Sequence, residues 1–122
     1  MIGYVLVGTN DLERAAGFYD KLLAEIGAIR TWESECGITW GISADQPSFG
    51  VIRPYDGKMA TVGNGVMVAL VVSSQDQVDR IYRKAIELGG KDEGPAGPRG
   101  DGAYYAGYFR DLDGNKLSVY FD

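Results

Sequence analysis

The stretch Tyr104-Tyr105-Ala106-Gly107-Tyr108-Phe109-Arg110-Asp111-Leu112-Asp113-Gly114-Asn115-Lys116-Leu117-Ser118-Val119-Tyr120-Phe121 decides the reading of this chain. Two aromatic-rich runs flank Asp111-Leu112-Asp113-Gly114-Asn115. Aromatic and β-branched residues suit pleated strands. Asp, Gly and Asn suit the connection, because they accept turn geometry and positive φ. The expectation is a hairpin that closes a domain. Leu117, Val119 and Phe121 alternate with Lys116, Ser118 and Tyr120, which gives one apolar and one mixed face. The mixed face is expected to line a cavity. Loop length decides which tyrosines share it. Four residues at 111–114 place Tyr105 on the side of Ser118; one residue fewer or more places Tyr104 and Tyr108 there. The sequence leaves this open, and Tyr105 is carried among the candidate ligand contacts.

Working back from the hairpin, the pattern occurs twice. Residues 2–8 read as a strand, followed by Asn10-Asp11-Leu12-Glu13 at capping-box spacing, with Asn10 as N-cap. Leu12, Ala15, Ala16, Tyr19, Leu22, Leu23 and Ile26 recur at helical spacing up to Gly27. Short strands are expected at Ala28–Glu33, Ile38–Ile42 and Ser48–Arg53. Val66–Val72 then reads as a strand, and Ser74-Gln75-Asp76-Gln77 as a second capping box. Val78, Ile81, Tyr82, Ala85 and Leu88 form a second stripe that ends at Gly89-Gly90. Tyr4 and Met67, Tyr19 and Tyr82, Lys21 and Lys84, and Gly27 and Gly90 all differ by 63 positions. A duplicated strand-helix-strand-strand-strand unit follows. Lys91–Glu93 is expected as a short strand and 94–102 as a loop. The domain plan is one domain, 1–122, with module one at 1–57, a linker at 58–64 and module two at 65–122. In the first strand Val5 and Val7 are expected beneath the helix, with Ile2, Tyr4 and Leu6 facing away. In the fifth, Val66, Val68, Leu70 and Val72 face the helix, and Met67, Ala69 and Val71 face away.

Composition narrows the function. At 122 residues the chain buries roughly two thirds of its unfolded surface without staples. Cys36 is the single cysteine, so no internal disulfide framework exists. No apolar run approaches the ~20 residues of a membrane helix, and nothing at the N-terminus reads as a signal peptide. A cytoplasmic location is the expectation. The net charge is −5, with no basic run, which argues against nucleic acid and anionic membranes and permits a cationic ligand. There is no histidine, which excludes a Ser-His-Asp triad, a Cys-His pair and histidine metal sites.

Residues 5–20, Val-Leu-Val-Gly-Thr-Asn-Asp-Leu-Glu-Arg-Ala-Ala-Gly-Phe-Tyr-Asp, together with 109–117, Phe-Arg-Asp-Leu-Asp-Gly-Asn-Lys-Leu, carry a resemblance. Gly89-Gly90-Lys91 fits it too. The chain resembles the vicinal oxygen chelate superfamily, also called glyoxalase/bleomycin resistance protein/dioxygenase. The resemblance implies an α+β fold of two βαβββ modules, half-open curved sheets around a ligand cavity, and a homodimer. Familiar members hold a divalent metal there, through His on the first strand of each module and Glu on the last strand. Carried onto this sequence, those positions are Tyr4, Met67 and Ser118, none a competent ligand. The chemistry that depends on the metal is therefore not expected, and no cofactor is assigned.

The candidate contacts for a small-molecule ligand are Tyr4, Trp40, Phe49, Arg53, Met67, Tyr105 and Ser118. Tyr4 and Ser118 offer hydroxyls, Met67 an adaptable wall. Trp40 offers a stacking surface, although its pattern favours a core tryptophan. Phe49, Val51 and Arg53 form the expected cavity row of the first module's last strand. Arg53 offers a bidentate anion contact. Cys36 lacks a histidine to activate it. The expected function is metal-free binding or sequestration of an antibiotic or metabolite, resembling the bleomycin-resistance branch. The alternative is a glyoxalase-like lyase or isomerase, either metal-independent or with unusual ligands such as Glu33 or Asp56.

Overall fold

Each half of the chain lays one helix on a four-stranded sheet, and the two halves repeat the same order. The computed structural model describes residues 1–122, which divide into two units, 1–62 and 63–122. The first unit contains β1 (Tyr4–Gly8), α1 (Leu12–Ala24), β2 (Ile29–Glu33), β3 (Gly37–Gly41) and β4 (Ser48–Ile52). The second contains β5 (Val68–Val71), α2 (Gln75–Glu87), β6 (Lys91–Arg99), β7 (Tyr104–Arg110) and β8 (Lys116–Phe121). The strand orders are β1-β4-β3-β2 and β5-β8-β7-β6. β1 runs parallel to β4, and β5 parallel to β8; the remaining pairs are antiparallel. The helices keep the 63-residue offset, since 75 − 12 and 87 − 24 both equal 63. The architecture is the expected α+β pair of βαβββ modules.

The helix starts differ in detail. Asp11, not Asn10, caps α1 and accepts from Arg14 N at 3.0 Å. Asn10 instead clamps the backbone of Ala60, accepting its N–H at 2.7 Å and donating to its carbonyl at 3.1 Å. Ser74 caps α2 as expected and accepts from Gln77 N at 3.1 Å. The Gln77 side chain reaches back one residue further than a capping box requires, to Ser73 N at 2.8 Å. Gly27 takes φ +77, closing α1 while Ala28 N donates to Leu23 O.

The first core forms between α1 and one face of its sheet. Leu12, Ala15, Ala16, Phe18, Tyr19, Leu22 and Leu23 are buried on the helix. They meet Val7, Ile38, Trp40, Phe49 and Val51 from the strands. The Tyr19 ring centroid lies 4.9 Å from Phe49 and 5.6 Å from Trp40. Each such pair contributes about 0.5–1.5 kcal/mol beyond its buried area. In the second unit Val78, Ile81 and Ala85 meet Phe109, Leu117 and Val119. Val66 departs from expectation: it precedes β5 and is exposed.

β6 is the larger correction. It runs nine residues, to Arg99, and absorbs most of the expected loop. Pro95 and Pro98 are tolerated because β6 is an edge strand, with register shifts at Asp92/Gly94 and Gly94/Gly97. The Arg99 guanidinium ties it down by donating to the carbonyls of Pro95, Gly97 and Pro98 at 2.6, 3.0 and 3.2 Å.

Asp20 joins α1 to two strands. Its carboxylate accepts from Trp40 Nε1 at 2.8 Å and from Arg30 Nε and Nη2 at 2.9 and 2.7 Å. The Arg30 hydrogen bond, aided by that from Trp40, holds the Asp20 carboxyl below its usual 3.8. A depressed folded pKa gives stability that is present above the unfolded value and lost as pH falls through the folded one. Asp20→Asn is therefore expected to lower stability at pH 7, and the gap to wild type should narrow below about pH 4. Urea titrations at pH 7, 4 and 3 check this; a gap independent of pH would refute it.

Candidate functional site

Each sheet has a second face, away from its helix. In the first unit this face holds a cavity of about 420 Å³ lined by Gly3, Tyr4, Leu6, Trp32, Thr39, Ser48 and Ile52. The two central strands turn small residues to this face: Gly37, Thr39 and Gly41 from β3, Ser48 and Gly50 from β4. At Gly50 an added Cβ would fall 2.5 Å from Ile38 O and 2.9 Å from Leu6 Cδ2. A low floor thus lies between the Tyr4 and Leu6 side chains of β1 and Trp32 of β2. Tyr4 is 66% and Trp32 48% exposed.

Trp32 reaches this face through a β-bulge. Arg30 pairs with Trp40, but Trp32 pairs with Thr39, so Thr31 is an extra residue. Thr31 and Trp32 both point to the open face. The Thr31 hydroxyl lies 2.9 Å from that of Thr39. Arg30 and Glu33 meet on the helix side. Strict alternation would have sent Trp32 toward the helix, which is why sequence reasoning missed it. The available signal was the alternation of small residues at 37, 39, 41, 48 and 50.

Three expected contacts stand elsewhere. Trp40 and Phe49 are buried against Tyr19 of α1 and belong to the core. The row of β4 that faces the cavity is Ser48, Gly50 and Ile52, not Phe49, Val51 and Arg53. Arg53 lies beyond β4 and lines a different groove, beside α1, with Glu13, Asp20, Arg30, Glu33 and Glu35.

In the second unit the hairpin loop is five residues long, 111–115. The Asp111 carboxylate organises it, with Oδ1 accepting from Asp113 N and Asn115 N at 2.9 Å and Oδ2 from Asn115 Nδ2 at 3.0 Å. Gly114 supplies φ +91. The resulting register pairs Tyr108 with Ser118 and Ala106 with Tyr120. Tyr104, Tyr108, Ser118 and Tyr120 therefore share the open face. Tyr105 does not: it faces α2, where its hydroxyl donates to Asp79 Oδ1 at 2.7 Å. That bond to a carboxylate raises the Tyr105 phenol, and burial adds to the effect. Met67 stands one residue before β5, in step with Ala69, which pairs with Ser118.

Tyr104 stacks on Tyr120 with centroids 5.3 Å apart and planes 19° from parallel. Burial pushes the Tyr104 phenol up, and Tyr108, Tyr120 and Asp122 push the same way, so it stays protonated near neutral pH. Ser118 Oγ is buried without a well-formed hydrogen bond. It lies near enough to Tyr104 to pull that phenol slightly down.

A family model described as Glyoxalase/Bleomycin resistance protein/Dioxygenase superfamily matches residues 1–119. The chain belongs to this superfamily. A crystal structure of a glyoxalase/bleomycin resistance protein from Albidiferax ferrireducens T118 is similar, with 35% identity, TM-score 0.91, and coverage of 100% of this chain and 98% of that one. A glyoxalase-related enzyme from Fulvimarina pelagi shares the fold at 20% identity and TM-score 0.78, covering 100% of this chain and 88% of that one. Lactoylglutathione lyase from Agrobacterium tumefaciens does so at 17% and 0.71, covering 99% and 92%. A comparison with curated proteins found no match.

The superfamily's metal does not fit the donors of this member. The corresponding positions hold an exposed phenol at Tyr4, a thioether at Met67 and a buried hydroxyl at Ser118. None is a carboxylate, imidazole or thiolate. No group of three or more His, Cys, Asp or Glu side chains is placed to hold a metal. No helix is long and apolar enough to cross a membrane.

A buried hydroxyl without a well-formed hydrogen bond costs stability that a methyl group would not. Ser118→Ala should leave the unfolding free energy of the unliganded protein unchanged or raise it by up to about 1 kcal/mol. Chemical denaturation checks this. A loss of 1 kcal/mol or more would mean that the hydroxyl has a partner in solution.

Proposed function

We propose that this superfamily member binds and sequesters a small, planar, uncharged molecule on the open face of its first sheet. The observation that carries the reading is the 420 Å³ cavity with Trp32 and Tyr4 as walls and a floor of small residues. Aromatic walls favour stacking on a flat ligand. The hydroxyls of Thr39 and Ser48 supply the few polar contacts that fix orientation in a mainly apolar site. The lining holds no carboxylate, amine, guanidinium or thiol, which favours an uncharged ligand and gives turnover no base near neutral pH.

The two tryptophans provide an internal control. Trp40 Nε1 is bonded to Asp20 and buried, while Trp32 is half exposed. Neutral bicyclic probes such as quinoxaline, coumarin and isoquinolone should shift the Trp32 indole N–H resonance and leave that of Trp40 in place. Trp32→Ala should weaken binding at least about tenfold, equivalent to 1.4 kcal/mol. No shift of Trp32 with any probe at millimolar concentration would sink the reading.

The same reading includes a homodimer in the cytoplasm. β1 pairs only with β4 and β5 only with β8, so each sheet has an edge open to a further chain. Ile2, Tyr4, Val66 and Val71 are exposed on or beside these strands. Cys36 is a free, exposed thiol, which suits a reducing compartment. Light scattering is expected to give twice the chain mass at 100 µM; a monomer at that concentration contradicts the dimer.

A further inference from the structure

The open face of the second sheet differs in charge from that of the first. Arg99 Cζ stands 5.4 Å and Lys116 Nζ 5.7 Å from the centroid of the Tyr108 ring. Neither cation has a carboxylate within ion-pair distance. Glu93, the nearby acid, is already held by Arg110 Nε at 2.6 Å, with Lys116 acting on it only through space. Asp122 lies toward the other end, beside Tyr104. Arg99, Arg110 and Lys116 thus share this region with Glu93, Asp92 and Asp122, and of the three cations only Arg110 is in an ion pair. Holding Arg99 and Lys116 around one ring costs repulsion that a bound anion would relieve.

The tyrosines around the two cations, Tyr104, Tyr108 and Tyr120, are half-buried. Ala106 and Ser118 lie beneath them, fully covered, and Ala69 stands beside Ser118 on β5. Tyr104 stacked on Tyr120 stands at one end, and Tyr108 with its two cations at the other. The Arg99 guanidinium is fixed in place by three backbone carbonyls. Ser118 lies directly across from Tyr108, its hydroxyl fully buried beside the Tyr104 phenol.

We propose that the open face of the second sheet is an anion-selective site for an aromatic carboxylate. The ring packs on the tyrosines, and Lys116 and Arg99 receive the carboxylate. This rests on the reading that the open sheet faces bind small molecules, but it invokes different residues and opposite selectivity. The acidic net charge would suggest cationic ligands; the local charge here favours anions.

The test uses a matched pair, 2-naphthoate and its neutral isostere 2-naphthamide, titrated into the full chain with affinity for this face read from the Tyr108 and Lys116 resonances. Naphthoate is expected to bind at least about tenfold more tightly at 20 mM salt, with the advantage shrinking at 200 mM. Lys116→Gln should remove most of that advantage without changing naphthamide binding, and Lys116→Arg should retain it. Naphthoate should shift resonances of Tyr108 and Lys116 rather than the Trp32 indole. Equal affinity for the two probes overturns the proposal, as does an unchanged ratio in folded Lys116→Gln. A response confined to Trp32 leaves the first-sheet reading intact and overturns this one.

Discussion

The structure depends on parity. In a strand, one residue more or less sends every later side chain to the opposite face. Two local devices set the count here. The Asp111 carboxylate gathers Asp113 N, Asn115 N and Asn115 Nδ2 into a five-residue loop, which fixes Tyr108 opposite Ser118. The Thr31 bulge adds one residue to β2, so that Arg30 reaches Asp20 on the helix side while Trp32 enters the open face. Without the first, Tyr105 and the stacked tyrosines would exchange faces. Without the second, Trp32 would compete with Trp40 for the core.

These devices explain how far the residues could be read in advance. The duplicated βαβββ order was legible because helical stripes, caps and glycine stops all recur at one offset. The faces of β1 were legible because alternation there is uninterrupted. The sequence leaves the sides of Trp40 and Phe49 open, because their strands carry no anchor for parity; contact with Tyr19 supplies it. Tyr105 hung on a loop length that Asp-Leu-Asp-Gly-Asn leaves ambiguous until the Asp111 hydrogen bonds are known. Lys91–Glu93 reads as a strand in the sequence, but 94–99 reads as a loop, because Gly and Pro usually punctuate strands. An edge position removes the need for some ladder donors, and Arg99 replaces part of that ladder from the side.

The two open faces illustrate how a duplicated unit diverges without losing its frame. Both place small residues at the centre and aromatic side chains around them. The first keeps its ionisable partners on the helix side, where Asp20 gathers Arg30 and Trp40. The second sends Arg99, Arg110 and Lys116 to the open side and satisfies its helix through tyrosine hydroxyls. Tyr82 donates to Asp92 at 2.8 Å, and Tyr105 to Asp79. Common topology therefore supports two surfaces of different polarity, and ligand chemistry follows from the residues rather than the fold.

The parallel pairs also shape the folding order. β2–β3 and β7–β8 join neighbours in the chain, whereas β1–β4 brings Tyr4 to Ser48 and β5–β8 brings Val68 to Leu117. The latter contacts close loops of more than forty residues and require a larger loss of chain entropy before any hydrogen bond forms. All four edge strands have a single partner, but only β1 and β5 close long loops in pairing with it, so they are expected to join last and open first. Tyr4 and Ala69 ride on these late strands. The open faces are thus expected to be completed after the helices have docked, and release of β1 or β5 would remove Tyr4 or Ala69 from them without unfolding the remaining three strands of either sheet.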